Sequence, residues 1–538
     1  MMSRAAIYKA IYDRFCQPLL KRLEDPGGSQ EECLRQILDR TKGTLFGKDH
    51  QLGDVKSVEE YQENVPITTY SSMQPYIAKT MQGEENVLFP DNIACFLITS
   101  GTTGDPKLYP FGEQGSEEII VDAVRTGAFY IVHNDRYDLL DGFRLRFPAP
   151  SVVGQKVGKY QVAFISGALS VAPVPSQLSL LGQSERRVVP PDEVLNELDW
   201  NKRFYLTARY AVAADVRAVT GVTSNVVSLL RKISTGFLDQ LLADSAVDEV
   251  TKTKLRRSAQ DGVLDLRKLW PNFRVVFHSG VSITPFRRAL HDLLGDADLW
   301  EAYGATEGWF GTQIYKDKDI FPYVDRVFYE FIPDEGKNSN PVLLSEVKVG
   351  VPYRVIVTTR GGFYRYDIGD LIEFTATGPP AFRVIGRKNS LVSLAGERMA
   401  DELFLRTLER ACAQRGIGFI DFALLPEVSA EIIRYHLFVE FTQAPKDLEE
   451  FTSFVDERLG LANIMYGAQR QANVLARPVI IPVQPSGFEL LLQRQKKVLG
   501  QTKVPRLLTP EMARLIPRLE PKTGPKQGMK KGARPRKK

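Results

Sequence analysis

The stretch "FLITSGTTGDPKLYPF", Phe96 to Phe111, runs from apolar and β-branched residues into a patch of Gly, Thr and Ser that carries one lysine, Lys107. Its apolar start, within "ACFLIT", reads as a buried strand. The polar part has two readings. Small residues let backbone N–H groups converge on an anion, with hydroxyls adding donors and Lys107 adding charge. The same composition also makes a plain turn after a strand. A Walker A loop is excluded: it requires GxxxxGK followed by Ser or Thr, whereas Lys107 comes three residues after the second glycine and Leu108 follows it. Alone, the stretch leaves phosphate binding and a simple turn open.

Working outward, the strand, glycine, helix unit recurs. "FRVVFHSG" reads as a strand, and "ITPFRRALHDLLG" after it as a helix with Thr284 as N-cap and Pro285 at the first helical position. Up to about residue 385 helical stretches alternate with short apolar strands, which predicts an α/β fold. From Val342 to Thr377 "YRVIVTTR" and "LIEFTAT", with turns at "RGGF" and "IGD", predict a β-rich subdomain. A smaller α/β unit follows, with helices at "ERMADELFLRTLERACAQ" and "KDLEEFTSFVDERLG" and strands at "DFALLPE" and "YHLFVEFT". The polar stretch "IGRKNSLVSLAGERM" between the units suits a hinge. The expected organisation is a large N-terminal lobe over 1–385, a hinge over 386–400, a small C-terminal domain over 401–520 and a tail over 521–538. We find no internal repeat.

At 538 residues, 43% apolar and 25% charged, the chain has the composition of a globular protein with a substantial core. No stretch approaches the roughly 18 uninterrupted apolar residues of a membrane helix, so no membrane span is expected. Ile7, Ile11, Phe15 and Leu19 recur at helical spacing, which predicts an N-terminal helix docked on the body; Asp13 and Glu24 fit poorly with a mitochondrial presequence. Cys16, Cys33, Cys95 and Cys412 show no CxxC pair, so neither a disulfide framework nor a zinc site is suggested and a cytoplasmic location is expected. The last eighteen residues hold eight Lys or Arg and no acid, which accounts for the net charge of +5 and leaves the rest weakly acidic. Such a tail predicts disorder, and the body gives no reason to expect a nucleic-acid partner.

Two further stretches carry chemistry. "LWEAYGATEGWFG" joins Tyr303, Thr306 and Glu307 at the end of an expected strand, and a carboxylate near phosphates is what Mg²⁺ requires. "GGFYRYDIGDLIEF" places Asp370 after a Gly turn between strands, where an Asp commonly caps its own turn. Neither decides the function separately.

Their order does. A TSGTTGxPK loop, a YGxTEG loop, a YRxxxGD turn and a GRxN hinge before a small C-terminal domain resemble the adenylate-forming enzyme superfamily. More closely, "ITSGTTGDPKLYPF", "LWPNFRVVFHSG", "YGATEGWFG", "FYRYDIGD" and "QTKVPRL" resemble the Gretchen Hagen family of acyl acid amido synthetases, over roughly residues 5 to 510. The resemblance implies a large α/β lobe with a β-rich subdomain and a small mobile α/β domain. It implies that Thr99, Ser100, Gly101, Thr102, Thr103, Gly104 and Lys107 cradle the phosphates of ATP, and that Thr306 and Glu307 serve them, with Glu307 on Mg²⁺. Ser279, Gly280 and Val281 would line the adenine pocket, Tyr303 would stack on the base, Asp370 would hold the ribose and Arg387 would act at the hinge. Lys503 would be the mobile-domain lysine, making Lys107, Glu307 and Lys503 the catalytic set. This chain departs from many relatives in placing Asp367 where they have a basic residue, and residues 120 to 240, the expected acyl pocket, carry no diagnostic residue.

The resemblance thus implies a ligase that activates a small carboxylic acid with ATP and Mg²⁺ and passes it to an amine, expected to be an amino acid, as a monomer. Transfer to coenzyme A or a carrier thiol, and a catalytically silent nucleotide-binding scaffold, are the alternatives. Lys107, Glu307 and Asp370, whose loss a scaffold would show, are all present, and a hydrolase lacks a matching GxSxG. His133 and His278, each beside an apolar run, read as core residues rather than as a catalytic base.

Overall fold

The computed structural model describes residues 3–99, 107–149, 151, 153, 155–181, 187–280, 283, 286–334, 340–387, 393–397, 399, 401–494 and 505–519. Its largest sheet changes character halfway across. Val275–Ser279 pairs in parallel with Val216–Val222 on one side and Asp298–Ala305 on the other, and Phe143–Arg146 and Val188–Val189 extend the parallel half. Beyond Asp298–Ala305 the pairing is antiparallel, through Gly308–Gln313, Ile320–Pro322, Pro380–Arg387, Tyr366–Thr377, Pro352–Thr359 and Val327–Pro333 to Val342–Leu343. The β-rich region therefore begins at Asp298 rather than Val342. Its first strands are short and broken by Gly304, Gly308 and Gly311, which hides their periodicity.

Parallel strands need crossover connections, and the apolar residues supply them. Thr223–Thr235 follows Val216–Val222 and buries Val226, Val227, Leu230 and Ile233; Arg287–Leu294 leads into Asp298–Ala305 and buries Ala289, Leu290 and Leu293. The second helix starts after Phe286 and stops at Gly295 (φ +69°), a left-handed position suited to glycine; Thr284 and Pro285 lie outside the described residues.

The other sheet face is covered by Glu113–His133. The N-terminal helical run, Arg4–Ile11, a π turn Tyr12–Cys16 and Gln17–Glu24, packs against it, burying Ile11 and Leu19 of the predicted stripe while Ile7 and Phe15 are half-buried; the π turn shifts the phase so that Cys16 is buried in place of Phe15. The Tyr12 hydroxyl meets His133 Nε2 at 2.7 Å, and the other His133 ring nitrogen meets the Ile314 carbonyl at 2.8 Å. His133 is thus a bonded packing residue.

Ile93–Thr99 pairs antiparallel with Lys107–Gly112, with Thr99 directly opposite Lys107. The opening stretch is therefore a β-hairpin, not a strand-to-helix phosphate loop of the Walker type. Its tip, 100–106, lies outside the described residues.

After Arg387 the chain builds a second unit on the hairpin Phe419–Val428 and Ile433–Phe441, with Val479–Pro482 added in parallel. Alternation sends Phe422, Leu424, Leu437 and Val439 to the larger core, and Ala423 and Phe438 to a second core with Leu491 and Ile516. Helices Asp401–Gln414 and Leu448–Ala462 appear where the sequence predicts them; Ile464–Gln471 and Gly487–Arg494 are additional.

Candidate functional site

Three segments meet at the junction of the sheet halves. Thr306 and Glu307 connect Asp298–Ala305 to Gly308–Gln313, with Ala305 paired to Gly308. The Lys107 hairpin lies beside them: Tyr109, two residues after Lys107, has its hydroxyl 2.8 Å from that of Tyr366. Burial first, and then the Glu307 carboxylate among the nearby groups, holds the Tyr109 hydroxyl well above its ordinary range. The third is the start of the strand Tyr366–Thr377, where the sequence predicts a turn at "IGD": Gly369, at φ +75°, is accommodated within the strand, and the Tyr303 hydroxyl ties it in by donating to Asp370 Oδ2 at 2.8 Å.

Glu307 is only 6% exposed, and its Oε2 has no hydrogen-bond partner among the described residues. A buried carboxylate oxygen without a donor is costly, and a hard cation is one group that satisfies it. The residues therefore fit Mg²⁺. Among the described residues there is no cluster of three His, Cys, Asp or Glu that could hold a metal by protein ligands alone. One carboxylate plus phosphate oxygens is the ordinary Mg²⁺ arrangement.

Lys107 sits at the hairpin exit with its ammonium 5.3 Å from the centre of the Tyr70 ring, and the Tyr70 hydroxyl accepts from Leu108 N at 3.2 Å. Asp367, the departure noted above, faces Arg354 at 3.4 Å and accepts from Gly369 N at 2.9 Å, so it braces the strand segment that presents Asp370. Asp370 and Arg387 are cross-strand partners. Tyr303 packs edge-on against Phe382 and tilted against Phe310 and is 6% exposed. Ser100, Gly101, Thr102, Thr103, Gly104, Val281 and Lys503 lie outside the described residues.

A cavity of about 1050 Å³ opens here. Thr99, Ser279, Gly280 and Thr306 line it. Gly280 has φ +84°, which favours glycine, and Gly304 is required by contact, since a Cβ there would stand 2.5 Å from the Trp309 ring. His278 points the other way from its neighbour Phe277, which lines the cavity. Burial and then Arg287 push its pKa down to about 3, so it is neutral and buried at physiological pH.

The cavity also shows what sequence reading missed. Ile119, Ala123, Gly127 and Ile131 form one wall at the i, i+4 spacing of Glu113–His133, and Ile7 and Tyr8 of the N-terminal helix close its end. The spacing was the available signal, but a helix stripe facing a cavity reads the same as one facing a core. Ala395 and Gly396, with Met465 and Gln469 of the second unit, complete the lining. The Ala395 carbonyl accepts from Gln469 Nε2 at 2.7 Å and the Glu397 carbonyl from Asn463 Nδ2 at 2.7 Å, so this part of the expected hinge is fastened to the second unit.

Three family models match the chain: the GH3 family N-terminal domain over 17–244, the GH3 family central domain over 321–387 and the GH3 family C-terminal domain over 402–511. The chain is similar to a jasmonoyl-L-amino acid synthetase of Nicotiana attenuata, at 23% identity over 90% of this chain and 92% of that protein. An indole-3-acetic acid-amido synthetase of Arabidopsis thaliana is 24% identical over 75% of this chain and 82% of its own length. A solved acyl acid amido synthetase matches the fold with a TM-score of 0.60 at 19% identity, covering 94% of this chain and 96% of that one.

Proposed function

The chain belongs to the GH3 family, and from that premise we propose that it is an acyl acid amido synthetase: it activates a carboxylic acid with ATP and joins it to an amino acid. The observation that carries this reading is the convergence of the Lys107 hairpin, the Thr306–Glu307 turn and Ser279–Gly280 on one cavity.

In the first step a substrate carboxylate oxygen bonds to the α-phosphorus of ATP, the bond to pyrophosphate breaks, and an acyl-adenylate forms. In the second the amine nitrogen bonds to the acyl carbon, the carbon–oxygen bond to AMP breaks, and the nitrogen loses a proton. Both steps gather negative charge on phosphoryl or carbonyl oxygens, so fixed positive groups do most of the catalysis. Lys107 and the hairpin's backbone N–H groups would meet the phosphates, and Lys503 would approach from the small domain. Glu307 would hold Mg²⁺, which when bound supplies further neutralisation of phosphate charge. Asp370, fixed by Tyr303, would accept from the ribose hydroxyls. Ser279 and Gly280 would border the base, with Val281 beside them.

The small domain would turn to bring Lys503 in. The hydrogen bonds that fasten Ala395 and Glu397 to that domain support a pivot N-terminal to them, next to Arg387. Among the described residues no helix is long and apolar enough to cross a membrane. The four cysteines are free and buried, and burial raises each thiol's pKa to about 11 or 12, so none is a reactive thiolate at neutral pH.

Carboxylate-dependent ATP–pyrophosphate exchange across aromatic, indolic, fatty and jasmonate-like acids tests the first step. Mass identification of an amide, rather than a thioester, when amino acids and thiols are offered in turn tests the second. Lys503→Ala should slow exchange about 100-fold or more while ATP still binds. Absence of exchange with every acid, in folded protein that binds ATP, would leave only a scaffold.

A further inference from the structure

The cavity extends well past the phosphate end. It follows one face of the parallel half-sheet from the strand C-termini back toward their N-termini. Val222 lies beside Ser279, Thr220 beside Phe277 and Arg146, and Ala218 beside Arg144, and all of these line it. Alternation places them on a single face, and the four steps from Val222 back to Ala218 span about 13 Å. The facing wall is the Ile119, Ala123, Gly127, Ile131 stripe, which at 1.5 Å per residue runs about 18 Å along its helix. Arg146, midway, is absorbed into the wall: it ion-pairs with Asp192 and donates to the Ser170 carbonyl at 3.1 Å.

The far end differs chemically from the middle. Beyond Ile131 the lining is Leu140, Ile7 and Tyr8 together with three guanidinium groups, Arg4, Arg144 and Arg187. Arg4 donates to the Leu140 carbonyl at 3.0 Å, Arg187 donates to the Asp141 carbonyl, and Arg144, second in its strand, has an exposed side chain; each of the three also makes a further interaction, so a ligand would share guanidinium groups that are already held in place. An apolar channel running from an adenylation site to a cluster of arginines selects a ligand with two polar ends and a greasy body.

Resting on the amido synthetase reading above, we propose that the activated acid is an elongated aliphatic acid of about twelve to fourteen carbons, since an extended chain of bonds of about 1.5 Å at tetrahedral angles advances about 1.25 Å per bond and the two walls run about 13 and 18 Å, with a second carboxylate at its far end. One carboxylate is adenylated beside Thr99 and Thr306. The other is bound by Arg4, Arg144 and Arg187 in charge-assisted hydrogen bonds.

Gly127 supplies a gauge. A Cβ added there meets no atom within 4 Å, so a larger side chain enters the channel without a clash, and replacing a helical glycine does not weaken the helix. The experiment is ATP–pyrophosphate exchange with monocarboxylates from hexanoate to hexadecanoate and the matching α,ω-dicarboxylates, in the full chain, with melting and ATP binding checked for every variant. The expected KM minimum lies at the dodecane to tetradecane diacids, with a preference of about tenfold or more over the matched monoacids. Gly127→Leu, plugging the channel about 12 Å from Ile119, should move the optimum to acids about five carbons shorter. The Arg144→Gln, Arg187→Gln double variant should erase the difference between the two series. An optimum among the shortest acids, or a length profile that Gly127→Leu does not move, overturns the proposal and leaves the amido synthetase reading standing. So does a monoacid preference. Exchange with no acid at all, in protein that binds ATP, brings down both.

Discussion

A carboxylate held at 6% exposure with one oxygen undonated costs stability in the empty protein, and so Glu307 is where activity and stability should part. Glu307→Ala is expected to cut acyl-dependent pyrophosphate exchange by about 100-fold or more. Its melting temperature should hold or rise, because no donor on the protein is orphaned at Oε2. Exchange kinetics and calorimetry on the same preparation check both. The sequence offered Glu307 as a candidate through "YGATEGWFG", but Tyr109, whose hydroxyl feels its carboxylate, comes from a distant strand, so its burial could not be read from the local stretch. Asp367 shows the converse. As a sequence feature it stood out as a departure, and the structure accounts for it with Arg354 and the Gly369 backbone.

Among the elements, the segment around Glu397 carries the clearest pH dependence. Its side chain is fully buried, accepts from Leu394 N at 2.8 Å and Ala395 N at 2.6 Å, and is also hydrogen-bonded by the Tyr435 hydroxyl. Burial pushes its pKa from 4.5 up to about 7. The folded state therefore keeps a proton that the unfolded chain releases between about 4.5 and 7. Stability from this group is present below 4.5, falls as pH rises through that window, and is level above 7. Glu397→Gln cannot titrate, so this part of the slope in melting temperature between pH 4.5 and 8 should vanish; an unchanged slope would assign it elsewhere. The stretch was legible as polar and hinge-like, yet Leu394, Ala395 and Glu397 within it are hydrogen-bonded to the small domain. Composition reports what a segment contains, and Asn463 and Gln469, which hold it, come more than sixty residues later.

Across the whole molecule, the Glu113–His133 helix is locked to the central sheet by a buried ion cluster. Arg125 donates to Asp122 at 2.9 Å and to Asp325 Oδ2 at 3.1 Å, with Arg125 1% exposed. Removing one partner leaves part of a buried charge unmatched, so Asp325→Ala should cost about 3 kcal/mol. Because that helix is also a wall of the cavity, denaturant unfolding of this variant should show the loss in a transition shared by the large lobe. The fold class, most elements of the small domain and the docked N-terminal helix follow from periodicities that act over a few residues. The mixed sheet does not, because its antiparallel half starts on short glycine-broken strands whose partners lie elsewhere in the chain.

What the sequence by itself determined is the inventory: which segments are strands and helices, which residues carry charge and hydroxyls, and in what order they come. Local sterics and hydrophobic spacing act between near neighbours, and those are fully written in the chain. The tertiary structure alone decided that "FLITSGTTGDPKLYPF" is a hairpin, that Tyr109 meets Tyr366 across 257 positions, and that one helix stripe faces a channel instead of a core. Those facts depend on which strands become neighbours, and the burial free energy that selects them belongs to the assembled sheet rather than to any one segment.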